Sequence, residues 1–384
     1  MGGRANDDAF WRDEWQSGDA TTGSRVVPRL LSSDPVPVRR VRYGPADQHF
    51  AELRLPTVES ARLRARRGSS PVAVFVHGGF WKSEWALDLE NAMADDLARR
   101  GWASWNIEYR RVGFKANNYV AQDGAGWPGT FQDVATALDK LADVAAELEQ
   151  MPAAGDGAPT PRLDLQRVVL IGHSAGGHLA LWLAQAHRQE AVMLLGEVAA
   201  RRCRVKPLAV VGQAPVADLE KAFRQSLSDD GDAAAQLMGG SPESVLVDGR
   251  SAYEVASPAA LLPLGCAQLL ISGTDDTDVP IALTREYVED VRRAGCDAVT
   301  LLEFPGAGHY ELITPMDPTW PTQRAAIERL LDDEESRNGC AGSANAVIMT
   351  TTTIVTHPDG AKISTVTTTS KSSNRNASMP ATKM

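Results

Sequence analysis

Nowhere in its 384 residues does the chain approach the roughly 18 consecutive apolar residues that a membrane span requires. The amino-terminal stretch MGGRANDDAFWRDEW lacks the apolar core of a secretory signal, and Asn6 stands where myristoylation of Gly2 calls for Ser or Thr. Cysteine is scarce: Cys203, Cys266, Cys296 and Cys340 lie far apart, with neither a C-x-x-C pair nor metal-ligand spacing. This argues against a disulfide framework and a zinc site, and reduced thiols point to a cytoplasmic protein. Positive charge is in deficit as well. With 39 Lys and Arg against 49 Asp and Glu, the net charge of −10 disfavours nonspecific binding to nucleic acid. The one basic cluster, Arg62-Leu63-Arg64-Ala65-Arg66-Arg67, reads as a solvated loop before a strand.

What is present is apolar material in an ordered rhythm. At 43% hydrophobic residues the chain is long enough for a sizeable core. Residues 1–37, with Trp11, Trp15 and the passage SSDPVPV, predict a short helix and a linker. Val38–Tyr43 and His49–Leu55 predict an antiparallel pair around a Gly-Pro turn, and Pro71–Val76 a buried central strand. Then follow a helix over Glu84–Arg100, a strand over Gly101–Tyr109, a helix over Trp127–Gln150 and a loop over 151–166. Beyond Ser174 come strands at Pro207–Val211, Ala267–Ser272 and Ala298–Phe304 and helices at Ile281–Ala294 and Thr319–Asp333. Residues 218–263, with short helical pieces and no sustained period, predict a small cap inserted in a domain spanning 38–335. This alternation implies an α/β fold, a mostly parallel, doubly wound sheet with helices on both faces. From 336 to 384 the chain turns Thr-rich. Ala346–Thr356 and Lys362–Thr369, joined by His357-Pro358-Asp359-Gly360, predict a hairpin followed by a flexible tail.

The rest of the chain is organised around Arg167–Leu181, RVVLIGHSAGGHLAL. An ordinary glycine-rich loop can carry G-x-S-x-G, but here an apolar run precedes it and a helix former follows. That is a strand, a sharp turn and a helix, with Ser174 held out as a nucleophile. A serine hydroxyl needs a base to take its proton and a carboxylate to orient that base. The strand Ala267–Ser272 runs into Gly273-Thr274-Asp275-Asp276-Thr277-Asp278-Val279-Pro280, and the form G-x-x-D-x-x-V-P selects Asp276 ahead of Asp278 and Asp275. His309, on the glycine-softened loop after Phe304, is the candidate base. His77 and His173 are expected to brace loops, and His49, His187 and His357 to be surface or core residues. For the oxyanion, backbone N–H groups are expected from Ala175 and from Gly79 and Phe80 of the His77-Gly78-Gly79-Phe80 turn.

Taken together, HGGFW, NIEYRR, GWPGTFQDV, GHSAGGHLALW, GTDDTDVP and PGAGHYE resemble the esterase and lipase-like α/β-hydrolases over about residues 38–335. Within them the chain looks most like the kynurenine formamidase (arylformamidase) group, because Trp81 stands where many lipases carry a third glycine. The resemblance implies an α/β-hydrolase fold and metal-free, cofactor-free hydrolysis of a small-molecule amide or ester through an acyl-enzyme. Short-chain carboxylesterase activity is the alternative. A non-catalytic binding module, self-associating as a homodimer through the Thr-rich hairpin, is a third reading, and a prolyl-peptidase-like enzyme would need a gating domain that residues 1–37 are too short to supply. Trp81 and Trp85 are the candidate pocket residues. Phe114, Tyr109 and Trp127 are weaker ones, with the last two expected in the core.

Overall fold

In the computed structural model, which describes residues 36–64, 68–113, 121–151, 162–185, 204–228, 230–296, 298–340, 352–356 and 362–366, the apolar runs of the sequence become a ten-stranded sheet. Strands β1 (Val38–Arg42) and β2 (Phe50–Arg54) form the expected antiparallel pair. Next comes a helix where a loop was expected: α1 (Val58–Arg64) takes in the first part of the arginine cluster, with Arg62 exposed. The signal for it was Thr57, whose Oγ1 accepts the Ser60 N–H at 3.1 Å as an N-cap. Strand β3 (Ser69–Val76) is buried throughout except at its first residue.

The helix expected from Glu84 is shorter. A 3-10 turn, Leu87–Glu90, leads into α2 (Asn91–Arg99), and Glu84 and Trp85 belong to the preceding turn. After β4 (Ala103–Ile107) and α3 (Gly129–Gln150), β5 (Arg162–His173) starts earlier than its apolar run. Arg162 and Leu163 pair with Ser69 and Ser70 before a register shift, and the polar residues that accommodate this shift read as loop from sequence. Helix α4 (Ala175–Leu183) follows the turn at Ser174 and β6 (Ala209–Gln213) comes next.

Segment 218–263 folds as α5 (Leu219–Arg224), α6 (Ala233–Met238), a miniature hairpin of β7 (Leu246–Val247) and β8 (Arg250–Ser251), α7 (Ala252–Ala256) and a 3-10 turn. Then come β9 (Ala267–Gly273), α8 (Ile281–Arg293), β10 (Val299–Phe304) and α9 (Trp320–Cys340). Strands β11 (Thr352–Thr356) and β12 (Lys362–Val366) pair with each other, and β12 adds antiparallel to β10. The hairpin therefore extends the sheet. Its Pro-Asp-Gly turn, the helix and linker expected before Val36, Phe114, His187, Cys203 and the terminal tail lie outside the described residues.

The sheet order is β1-β2-β4-β3-β5-β6-β9-β10-β12-β11, with the six strands from β4 to β10 parallel. Such strands are covered on both faces, hence their unbroken Val, Ile, Leu and Ala runs. Successive residues of β4 show which helices cover which face. Trp105 Nε1 donates to the Ala137 carbonyl of α3 at 3.0 Å, whereas Asn106 Nδ2 donates to the Leu87 carbonyl, ahead of α2, at 2.8 Å. Neighbouring side chains on a strand point to opposite faces, so α2 and α3 lie on opposite sides of the sheet. Helix α9 shares the α2 side, because Trp320 Nε1 donates to Asp96 at 2.8 Å.

On the α3 side the helices meet through aromatic edges. The Phe131 ring is edge-on to Trp127, Trp182 and His178 at 4.9, 5.0 and 5.4 Å between centroids. Truncating Phe131 to Ala removes the ring common to all three contacts. We expect Phe131→Ala to lower the free energy of unfolding by about 3–5 kcal/mol, read as a reduced urea midpoint at unchanged slope.

Candidate active site

Ser174 sits between β5 and α4 at φ 55° and ψ −120°, a backbone conformation that non-glycine residues rarely adopt. Such strain costs on the order of 1–3 kcal/mol and persists only where its surroundings impose it. Here the Ser174 N–H donates to the Gln213 carbonyl at 2.7 Å, and the Ser174 carbonyl accepts from His178 N–H at 3.0 Å and Val216 N–H at 3.2 Å. Gly176 is indispensable to the turn: a Cβ there would lie 2.0 Å from the Val76 carbonyl oxygen and 2.4 Å from that of His77. The turn is thus pressed against the end of β3, which leads into the His77-Gly78-Gly79 segment.

His309 and Asp276 come together at the carboxyl ends of β10 and β9. His309 Nδ1 lies 2.7 Å from Asp276 Oδ2, with the two residues 7% and 6% exposed. A carboxylate only accepts, so Nδ1 carries the hydrogen and Nε2 presents a lone pair, the tautomer of a general base. The other carboxylate oxygen, Oδ1, accepts the N–H groups of Asp278 at 3.0 Å and Val279 at 2.8 Å, which fixes the acid. Asp275 is exposed and engaged by Thr274, and Asp278 is half-buried. Of the three clustered carboxylates, only Asp276 has a hydrogen bond to His309. Ser174 is buried, and its Oγ has no hydrogen-bond partner among the described residues. The structure thus joins His309 to Asp276 through a buried hydrogen bond.

The turn after β3 holds three consecutive residues at positive φ: Gly79 at 102°, Phe80 at 48° and Trp81 at 57°. Gly79 is required because a Cβ would fall 2.2 Å from Trp85 Cγ. Behind the turn lies Glu108, a residue to which the sequence reading assigned no role. Its carboxylate accepts the N–H groups of Tyr109 and Leu87, both at 3.0 Å, and lies 3.3 Å from His77 Nε2 and 3.2 Å from Arg111 Nε. Burial alone would raise its pKa. Arg111, His77 and the Leu87 N–H favour the charged form and bring it down to about 2. The ring of His77 stacks on Tyr109 at 4.2 Å, and the Tyr109 hydroxyl donates to the His77 carbonyl at 2.7 Å. Next along the chain, buried Lys82 ties the turn to the 218–263 segment, with Nζ 3.1 Å from Asp230 and 3.9 Å from Asp232. No local pattern announced that pairing, since its partners lie some 150 residues away.

The remaining candidates separate by burial. Trp81 is 1% exposed and edge-on to His178 at 5.2 Å, while half-buried Trp85 stacks on Tyr310, next to His309, at 5.9 Å. Tyr109 is in the core, and half-buried Trp127 packs on Phe131. His178 donates from Nε2 to the Ala256 carbonyl at 2.9 Å, and burial brings its pKa down to about 4. It is a neutral tether between α4 and α7. His173 donates from Nε2 to the His309 carbonyl at 3.1 Å; burial, and then the neighbouring His309 ring, hold its pKa well below that of free imidazole. His49, buried, reaches Asp133 at 2.9 Å. Ala175 is the first residue of α4, where the N–H groups have no intrahelical acceptor. The N–H groups of Gly79 and Phe80 take no carbonyl among the described residues. These donors stand at the two turns that meet at Ser174.

The family model described as BD-FAE matches residues 63–290. No curated protein matches the chain. Among solved structures, esterase B from Lactobacillus rhamnosis (HN001) superposes with a TM-score of 0.60 at 20% identity, over 83% of this chain and 90% of that one. Esterase LipW from Mycobacterium marinum gives 0.54 at 20% identity over 78% and 82%, and the thermophilic esterase Est2 from Thermogutta terrifontis 0.52 at 20% over 79% and 92%. The architecture is that of the α/β-hydrolase fold. Among the described residues, no helix is long and apolar enough to cross a membrane.

The buried Glu108 carboxylate makes stability depend on acidity. Unfolded, it binds a proton near its ordinary value of 4.5; folded, near 2. The unfolded state therefore holds more protons between these values, and stability present above pH 4.5 is lost as pH falls toward 2. We expect Glu108→Gln to be less stable than the parent at pH 7 and to lose less of its remaining stability across that window. Urea midpoints measured against pH test this, and parallel curves for the two proteins contradict it.

Proposed function

The chain belongs to the BD-FAE family, and from that premise we propose that it is a serine hydrolase of small acyl esters. The observation that carries this reading is the buried hydrogen bond from His309 Nδ1 to Asp276, which leaves His309 Nε2 free to act as a base, at the same end of the parallel sheet as a serine on a strained turn. In the proposed cycle His309 Nε2 takes the proton of Ser174 Oγ as the oxygen attacks the acyl carbonyl, and Asp276 stabilises the imidazolium. The N–H groups of Ala175, Gly79 and Phe80 receive the developing oxyanion, where loss of a single donor costs about 10²–10³ in rate. His309 returns the proton to the leaving alkoxide, releasing the alcohol and an acyl-Ser174. A water, deprotonated by the same nitrogen, then attacks the acyl carbonyl, and His309 returns that proton to Ser174 Oγ as its bond to the acyl carbon breaks and the carboxylic acid leaves.

The resemblance in fold to proteins described as esterases favours an ester over an amide. A second reading, hydrolysis of N-formyl aryl amides as in the kynurenine formamidase group, rests on the HGGFW form of the oxyanion turn. In it the same steps pass through a formyl-enzyme and expel an aryl amine. Trp85, stacked on Tyr310 beside His309, is the aromatic best placed to meet an aryl substrate.

We expect a fluorophosphonate probe to label Ser174 and Ser174→Ala to abolish both labelling and turnover of p-nitrophenyl acetate. Labelling without Ser174, or full turnover by the alanine variant, overturns the mechanism; a non-catalytic module labels not at all. The ratio of kcat/KM for p-nitrophenyl acetate to that for N-formylkynurenine separates the two substrate classes. We expect it to exceed one, and predominance of the formamide selects the second reading.

A further inference from the structure

Ser174 and His309 lie 135 positions apart in the chain, after different strands, and catalysis requires their side chains to meet within a fraction of an ångström. The hydrogen bond to Asp276 restrains one edge of the imidazole, but a ring held at Nδ1 alone can still pivot about that bond. Where Nε2 points is decided by where the backbone of the His309 loop is held. Two buried side chains hold it.

His173 and Gln213 are register partners at the ends of the parallel strands β5 and β6. Registered residues of neighbouring strands share a face of the sheet. For this pair it is the α2 and α9 side, since Gln213 Nε2 also lies 2.8 Å from Gln323 Oε1 of α9 and 3.6 Å from Met93 Sδ of α2. From that face His173 Nε2 donates to the His309 carbonyl at 3.1 Å and Gln213 Nε2 to the Leu312 carbonyl at 2.7 Å. The two acceptors bracket the turn that begins at the base. Both donors are at most 1% exposed, so water does not compete for their hydrogens. The same two residues also grip the nucleophile: His173 precedes Ser174 in the chain, and the Gln213 carbonyl accepts the Ser174 N–H. The His173 and His309 rings, moreover, lie 4.3 Å apart between centroids.

We propose that His173 and Gln213 are positioning residues, a two-point clamp that sets the aim of His309 Nε2 at Ser174 by fixing the His309–Leu312 turn to the strand ends that carry the nucleophile. The proposal rests on the reading of Ser174 and His309 as nucleophile and base. His173 must serve as a neutral donor, and its surroundings keep it so: burial disfavours the charged ring and an imidazolium at His309 during turnover lies against it, and together they outweigh the carbonyl at Nε2, which favours the charge.

The clamp predicts a loss in kcat rather than in binding. We compare the parent with His173→Leu, His173→Gln and Gln213→Leu in p-nitrophenyl acetate hydrolysis and in the rate of Ser174 phosphonylation, normalised to active sites titrated with a fluorophosphonate. Misplacement of about 1 Å costs about 10²-fold, so we expect His173→Leu to lose kcat on that scale with KM changed by no more than about twofold. His173→Gln retains a nitrogen donor of similar reach and is expected to regain about tenfold of the loss. Unchanged kcat in His173→Leu, or equal losses in the Leu and Gln variants, overturns the clamp. Should His173→Leu fail to fold, Gln213→Leu decides: a fall in kcat at constant KM supports the clamp and an unaltered kcat overturns it. Full turnover by Ser174→Ala in the same series overturns instead the reading of the site on which the clamp rests.

Discussion

The backbone of Ser174, at φ 55° and ψ −120°, is a local cost that the rest of the molecule is arranged to sustain. A serine in this conformation relaxes unless neighbours on every side refuse it room, and those neighbours come from separate parts of the chain. Gly176 meets the carbonyls that end β3, the Gln213 carbonyl of β6 takes the Ser174 N–H, and the Val216 N–H holds the Ser174 carbonyl. The parallel order β3-β5-β6 puts these groups side by side, so the strained turn is a property of the sheet.

The same ordering explains why the site lies where it does. Parallel strands deliver all their carboxyl ends to one edge of the sheet, and at that edge the chain leaves for helices on either face. β3 leads into the His77–Phe80 turn, β5 into Ser174, β9 into the Asp276 turn and β10 into the His309 loop. Several of the charged groups brought there are buried against specific partners, in keeping with the cost of burying an unmatched charge. Glu108 offers its two oxygens to His77, Arg111 and two backbone N–H groups; Asp276 offers its two to His309 and the turn before α8; buried Lys82 faces a pair of aspartates. This matched polar layer, more than apolar burial, fixes the position of the turns, because apolar contact alone is non-directional.

Much of this was legible in the sequence, where it was local. The apolar runs of β3, β5, β9 and β10 name a parallel α/β sheet, since strands buried on both faces have no polar side to alternate with. The motifs at Ser174, Asp276 and His309 each follow such a run, and glycines at 78, 79, 172 and 176 mark turns where a side chain has no room. Where local polarity misled, the cause was again physical. Polar residues around the β5 register shift suggested a loop, and the arginines of 62–67 hid a helix begun by the Thr57 cap.

What the tertiary structure decided concerns partners far apart in the chain. Residue types and spacing alone determined the fold class, the sharp turn at Ser174 and which of three neighbouring aspartates meets His309. They did not determine that Glu108 lies against His77, that Lys82 reaches Asp230, or that His173 and Gln213 donate to the His309 and Leu312 carbonyls across 136 and 99 positions. Backbone propensity and hydrophobic period act within a few residues and leave a trace in the sequence. A buried hydrogen bond between distant side chains leaves none, because its partners become neighbours only after the sheet has ordered its strands.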